Sequence, residues 1–172
     1  YFLGVSKGKG QLSQTFSNST EWNSLWRYNY YGPDTKGAKG TWTDLSLNIP
    51  ANRKTAFDNF NAQGSYNLLI KIKPNNPKTI FIGGTNLYRS DDGFTTPNKI
   101  FQIGGYEIGT KFPDFKVYKN HHPDQHNLLF LPSNPDIIIS ANDGGLSKSF
   151  NCMADTVRWE FLNNGYLSTQ FY

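Results

Sequence analysis

The sequence predicts an all-β chain assembled from repeated four-stranded antiparallel units, and three observations carry that expectation. Aromatic residues make up 16% of the 172 residues, against 37% for all hydrophobic types, so Phe, Tyr and Trp supply much of the burial. Such side chains suit a pleated, half-buried surface. Sixteen Gly and nine Pro interrupt the chain every few residues, which leaves few stretches long enough for a helix. The third observation is a block of sequence that occurs twice.

Pro74-Asn75-Asn76-Pro77-Lys78-Thr79-Ile80-Phe81-Ile82-Gly83 returns as Pro132-Ser133-Asn134-Pro135-Asp136-Ile137-Ile138-Ile139-Ser140-Ala141, an offset of 132 − 74 = 58 residues. Each copy is a Pro-x-Asn-Pro turn followed by an apolar strand. Proline presets the turn dihedrals and cannot join a central ladder, so Asn-Pro marks where one strand ends and the next begins. Before each turn lies another apolar strand, Tyr66 to Ile72 in one copy and His126 to Leu131 in the other. After a tight Gly turn, Leu87-Tyr88-Arg89-Ser90 pairs with Leu146-Ser147-Lys148-Ser149, one inserted residue out of step. Outer strands follow at Lys99 to Ile103 and at Val157 to Leu162.

The start of the chain fits a partial unit. Tyr1 to Val5 and Ser24 to Tyr28 read as inner and middle strands, and Gly40 to Leu45 as the outer one. Asn48-Ile49-Pro50 then parallels Asn163-Asn164-Gly165 as the exit turn, and residues 51–65 read as a polar connection with no strand. The expected division is a partial unit over 1–50, full units over 66–103 and 126–162, and a further strand beginning within 166–172. A four-stranded meander is the blade of a β-propeller, which closes with about four to eight blades. At 58 residues per unit, 172 residues supply about three. The expectation is therefore a propeller segment of two blades and a partial third, completed by blades outside these residues.

Charge and cysteine content narrow the functional classes. Charged residues are 17% of the chain, with a formal net charge of +4. The cations (Lys7, Lys9, Lys36, Lys39, Arg53, Lys54, Lys71, Lys73) are scattered rather than gathered into a stripe, which argues against nucleic acid as a partner. No apolar run approaches the length of a membrane-spanning helix. Cys152 is the single cysteine, so no internal disulfide forms. Its neighbours offer no activating group, and it reads as a small residue of the core.

Ser90-Asp91-Asp92-Gly93-Phe94-Thr95-Thr96 resembles the Asp box (BNR repeat), whose pattern is Ser-x-Asp-x-Gly-x-Thr-Trp. Ser90, Asp92 and Thr96 match, Gly93 lies between them, Phe94 stands at the Gly position and Pro97 at the Trp position. Ser149-Phe150-Asn151 is a worn second copy with a longer turn. The wider string from His122-Pro123-Asp124-Gln125-His126 through Asn142-Asp143-Gly144-Gly145 to Thr169-Gln170-Phe171-Tyr172 is similar to exported bacterial propellers of the sialidase and xyloglucanase-like group. Sortilin-type receptors share the box. The resemblance implies a propeller and a location outside the cytoplasm. It leaves the activity open, because the fold carries hydrolases, receptors and scaffolds alike. The carboxylate of Asp92 suits a turn-capping role, so the box itself reads as structural.

Chemistry concentrates elsewhere. His121, His122 and His126 are all the histidines of the chain, and Asp124 lies among them. They fall at the lead-in to an inner strand, where propellers open their central channel. Strand alternation sends Asp124 and His126 to one side and Gln125 to the other. Such a stretch can form a hydrogen-bonded turn, contact a ligand, or contribute to a metal site, although one short segment supplies too few ligands for a whole site. Asp143 follows in Asn142-Asp143-Gly144-Gly145, a hairpin signal. Asp124 and Asp143 are the pair to nominate as glycosidic carboxylates, since that chemistry needs two of them across a sugar. The four arginines, Arg27, Arg53, Arg89 and Arg158, form no evident cluster of the sialidase kind. Trp22, Trp26, Tyr28, Tyr30 and Tyr31 can pack in the core or stack on sugars. No cofactor is expected. The expected partners are a polysaccharide or protein ligand and the remaining blades of the same polypeptide.

Overall fold

The computed structural model describes residues 1–34 and 37–165. The strand expected within 166–172 therefore lies outside the described residues. The chain forms three four-stranded antiparallel sheets, and none of them closes on itself among those residues. The first holds β1 (Phe2–Val5), β2 (Gln11–Gln14), β3 (Thr20–Asp34) and β4 (Gly37–Asp44). The second is a meander of β5 (Leu69–Lys73), β6 (Asn76–Gly83), β7 (Leu87–Ser90) and β8 (Ile100–Gly104), hydrogen-bonded in that order. The third repeats it with β9 (Gln125–Leu131), β10 (Asn134–Asn142), β11 (Gly145–Ser149) and β12 (Glu160–Phe161). No helix among the described residues is long and apolar enough to cross a membrane.

The sequence repeat is also a repeat of register. In the middle sheet Ile72 faces Ile80 and Lys73 faces Asn76, with a register shift between the two pairs. In the third sheet Phe130 faces Ile138 and Leu131 faces Asn134, with the shift at the same place. Each proline turn has two residues at its tip, Pro74-Asn75 and Pro132-Ser133, with proline at the position where its fixed φ suits a β-turn. The two turns are tied together by the buried Lys73, which bonds to Asn75 and reaches Asp136 at 2.7 Å.

Both faces of the middle sheet are covered. Ile80, Ile82, Tyr88 and Ile100 join Leu3, Leu25, Leu45 and Ile49 in a core against the first sheet. Phe81, Leu87 and Ile103 join Leu128, Phe130, Ile138, Val157 and Trp159 in a second core against the third sheet. This double burial explains why Thr79 to Gly83 is an unbroken buried run rather than an alternating one. The first strands of the sheets lie side by side, with β5 against both β1 and β9. Cys152 is fully buried in the second core, and burial raises its thiol pKa to about 11, so the thiol is inert at neutral pH.

Two elements differ from the sequence reading. The first sheet is not a simple meander. β1 pairs with Asn23 to Trp26 of β3, while β2 lies across β3 from β1 and pairs with Thr20 to Asn23. The expected outer strand over residues 157–162 shrinks to Glu160–Phe161. Val157 and Trp159 turn into the core, and the Trp159 carbonyl accepts a bond from Asn120 rather than from a neighbouring strand.

The turn after β7 is held by its own side chains. Ser90 Oγ accepts from the Phe94 N–H at 2.7 Å, and Asp92 accepts from the Thr95 N–H at 3.1 Å and the Thr96 hydroxyl at 2.7 Å. Partial burial alone would raise the Asp92 pKa, but the bonds from Thr96, Ser90 and Thr95 outweigh it and lower it. Phe94 sits at φ 59°, a left-handed conformation that costs a non-glycine residue about 1–2 kcal/mol. Its ring is fully buried in the first core, which is worth about 1.5–3 kcal/mol, so burial outweighs strain. Asp92→Ala is expected to cost about 0.5–2 kcal/mol, the usual loss for a capping side chain, read as a lower Tm. A Tm unchanged within error would show that the turn does not depend on the carboxylate.

Candidate functional site

A single tight turn organises the surface on which the nominated residues meet. Gly84, Thr85 and Asn86 join β6 to β7, and their backbone and side-chain bonds run outward to three other segments. Gly84 and Thr85 carbonyls accept from the N–H groups of Gln125 and Asp124 at 2.8 and 2.9 Å. The Thr85 N–H donates to Asn61 at 2.8 Å. The Asn86 side chain donates to the Phe57 carbonyl at 2.6 Å and accepts from the Tyr106 N–H at 2.8 Å. Glycine is required at 84, because an added Cβ would fall 2.2 Å from the Asn61 oxygen.

Asp124 precedes β9 at φ 66°, a left-handed conformation that Asp tolerates better than most residues. Gln125 points inward, fully buried, and takes the Ser140 hydroxyl at 2.9 Å. His126 points outward. Its Nε2 lies 2.5 Å from Asp143 Oδ1, with the side chains 37% and 22% exposed. The Asp143 N–H in turn donates to the Asp124 carbonyl at 3.2 Å. The Asn67 amide donates to Asp124 Oδ1 at 2.8 Å and to the Gln63 side chain at 3.0 Å. Tyr66 places its ring edge-on to His126, 5.3 Å between centroids. Burial raises the Asp124 pKa, and the neighbouring Asp143 raises it further, against the bond from Asn67 and the nearby His122 and His126.

Asp124, His126 and Asp143 thus lie on one surface, whereas His121 does not. It is 1% exposed, its ring rests on Trp159 at 4.0 Å, and its Nδ1 accepts the Gly105 N–H at 3.0 Å. Burial, then the adjacent His122, lowers its pKa to about 3. This is a core histidine and not a ligand-binding one. Glycine at 104 makes room for it, since a Cβ there would fall 2.5 Å from the ring. His122 is exposed, with Nδ1 3.0 Å from the Pro123 carbonyl. Among the described residues no three His, Cys, Asp or Glu side chains are grouped to hold a metal.

Among the described residues, neither Asp124 nor Asp143 lines any of five surface hollows. A groove of about 660 Å³ has walls that include Thr15, Phe16, Glu21, Trp22 and Gln63. Gln63 joins it to the acid cluster through Asn67. Glu21 is anchored there by the N–H groups of Ala62 and Gly64 at 2.7 and 2.8 Å. Gln63 falls in the stretch 51–65 that reads only as a connection, Tyr66 and Asn67 in a stretch that reads as strand, and Glu21 outside both; their place on this surface is set by long-range bonds that local sequence does not show. Of the aromatics singled out in the sequence, only Trp22 reaches this region. Tyr28 lies tilted against Trp42, 5.0 Å between ring centroids, and Tyr30 and Tyr31 are exposed on the long β3 arm.

No protein-family model, curated protein or solved structure matches the chain.

Proposed function

We propose that the chain is a segment of a β-propeller, of the Asp-box kind and working outside the cytoplasm, that binds a glycan on the surface formed by Asp124, His126 and Asp143. The observation that carries this reading is the position of those groups. They stand at one end of the inner strand β9, tied through Asn67 and Thr85 to the adjacent sheet, where inner strands run side by side. The repeated register and face-to-face stacking of sheets support the propeller. So does the open face of the third sheet. Phe81 and Leu87 are covered by the third sheet, whereas their repeat counterparts Ile139 and Leu146 remain partly exposed, as they would if a further blade covered them.

Binding fits the geometry better than hydrolysis, because the acids meet on an open surface rather than in a cavity that excludes water. Hydrolysis is the second reading, favoured by one observation. The environment pushes the Asp124 pKa up, as a general acid requires, and Asp143 stands beside it, paired with His126. Affinity electrophoresis through gels containing soluble polysaccharides tests the binding reading. At least one polysaccharide should retard the chain, and Asp124→Asn or Asp143→Asn should relieve that retardation. Equal migration of wild type and both variants in every gel would reject the site. Release of reducing ends by wild type, abolished in both variants, would move the assignment to hydrolysis.

A further inference from the structure

The connection between β8 and β9 carries a feature that neither the repeat nor the acid cluster accounts for. Residues 105–118 form a hairpin closed by a Tyr106–Val117 bridge, a Glu107 N–H to Lys116 carbonyl bond of 2.8 Å and a Tyr118 N–H to Gly105 carbonyl bond of 2.8 Å. Thr110 Oγ1 fastens it internally, donating to the Glu107 and Lys116 carbonyls, and the Gly109 N–H fastens it to Asp58 at 2.8 Å. Its aromatic rings gather over Phe57. Phe112, Phe115 and Tyr106 lie 5.3, 5.8 and 4.9 Å from that ring, and Phe16 stacks on it at 4.9 Å. Yet Phe112 and Phe115 remain 61% and 54% exposed. Burial does not explain two large rings held edge to face at 4.9 Å on a braced hairpin. Fixed, exposed rings present a contact surface that loses little entropy on binding.

The same surface continues into the site already described. Tyr106 hangs from Asn86 and Asp124 from Thr85, consecutive residues of one turn. Phe16 belongs both to the aromatic group and to the wall of the groove that holds Glu21 and Gln63. The aromatic group, the groove and the acid cluster therefore join in a closed circuit.

We infer that Phe112 and Phe115 are the stacking platform of this surface and that its ligand is a neutral oligosaccharide of pyranose rings with equatorial hydroxyls. The inference rests on the glycan-binding reading above and specifies its ligand. Such rings present flat C–H faces, which pack on aromatic rings as other apolar groups do. Their hydroxyls match the groove, where Thr15, Ser17 and Ser19 already exchange bonds of 2.8–3.2 Å and Gln63 adds an amide. Asp124, Asp143 and Glu21 outnumber Lys7, the cation in the groove wall, and so disfavour an anionic ligand, whether an acidic sugar or an acidic bilayer. Lys111 and Lys116 on the hairpin are matched by Glu107 and Asp114. Arg89, which could otherwise attract a carboxylate, is buried and committed to Asp91 and the Cys152 carbonyl.

Calorimetric titration of the chain with cellohexaose, with sialyllactose as the anionic comparison, tests the inference. Cellohexaose should bind and sialyllactose should not. The double variant Phe112→Ala/Phe115→Ala should weaken cellohexaose about ten-fold, the scale of one or two stacking contacts, while Phe112→Tyr/Phe115→Tyr should retain it. Because both rings are largely exposed, a far-UV spectrum matching wild type is expected of each variant. If the alanine variant binds as wild type does while Asp143→Asn is impaired, the platform is overturned and the acid-cluster reading stands. The converse pattern overturns the acid cluster and keeps the platform. Preference for sialyllactose overturns the neutral-ligand assignment. Absence of binding to either sugar overturns the platform and its neutral ligand, while the acid-cluster reading stands or falls by the polysaccharide gels; co-sedimentation with phosphatidylserine vesicles would then assign the rings to a membrane surface.

Discussion

Trp159→Ala is expected to lower the free energy of unfolding by about 3–5 kcal/mol, the range for removing a large buried aromatic. Trp159 is 4% exposed and belongs to the core between the middle and third sheets. Its ring covers His121 at 4.0 Å, and its Nε1–H donates to the Ile103 carbonyl at 2.8 Å. The bond crosses from the segment before β12 to β8, so one side chain clamps two sheets. Truncation opens a cavity and leaves a buried carbonyl without its donor, which alone costs about 1–3 kcal/mol. Trp159→Phe separates the two losses, because it retains most of the ring and removes only the donor. Urea denaturation followed by far-UV circular dichroism should rank wild type above Trp159→Phe and that above Trp159→Ala. A loss under about 1 kcal/mol in the alanine variant, well below the range for a buried aromatic, would mean that the two sheets are not held through this contact.

What the sequence revealed divides along the distance over which each feature is determined. The proline turns and the strands on either side are local. Proline's fixed φ and the apolar runs around it were legible, and the 58-residue offset carried through to matching register. β2 was not legible, because Gln11-Leu12-Ser13-Gln14 has one apolar residue and that residue is 40% exposed. Its strand character comes from β3 beside it. The outer strand near residue 160 was over-read for the converse reason. Val157 and Trp159 look like strand residues, but the core takes them. At the site, alternation separated Gln125 from its neighbours, and the outward His126 meets Asp143. The same histidine cluster misled at His121, where the chain turns through a bond from the His121 N–H to the Tyr118 carbonyl and carries the ring inward. The hairpin at 105–118 has no counterpart among the described residues of the other units, so the repeat does not predict it.

Acid should destabilise the fold through His121, and the expected size is large because the group is buried with its acceptor nitrogen already committed. The Gly105 N–H points at Nδ1, which places the ring proton of the neutral form on Nε2. Adding a second proton at Nδ1 would set N–H against N–H inside the core. Burial, then the adjacent His122, accordingly lowers the pKa to about 3 from an ordinary value of 6.5. The sign follows from proton uptake. Between those two values the unfolded chain binds a proton that the folded chain refuses, so stability is fully present above about pH 6.5 and is lost as pH falls toward 3. The slope approaches about 1.4 kcal/mol per pH unit within that window. Asp92, with its lowered pKa, adds to the loss in acid, whereas Asp124, with its raised pKa, gains stability there and offsets part of it. Denaturation curves at pH 7, 6, 5 and 4 should show a fall of about 2–3 kcal/mol between pH 6 and 4. His121→Gln keeps an acceptor for Gly105 and removes the titration, so it should start less stable at pH 7 and lose much less between pH 6 and 4. Parallel losses in wild type and variant would assign the acid sensitivity to the carboxylates and remove His121 from the account.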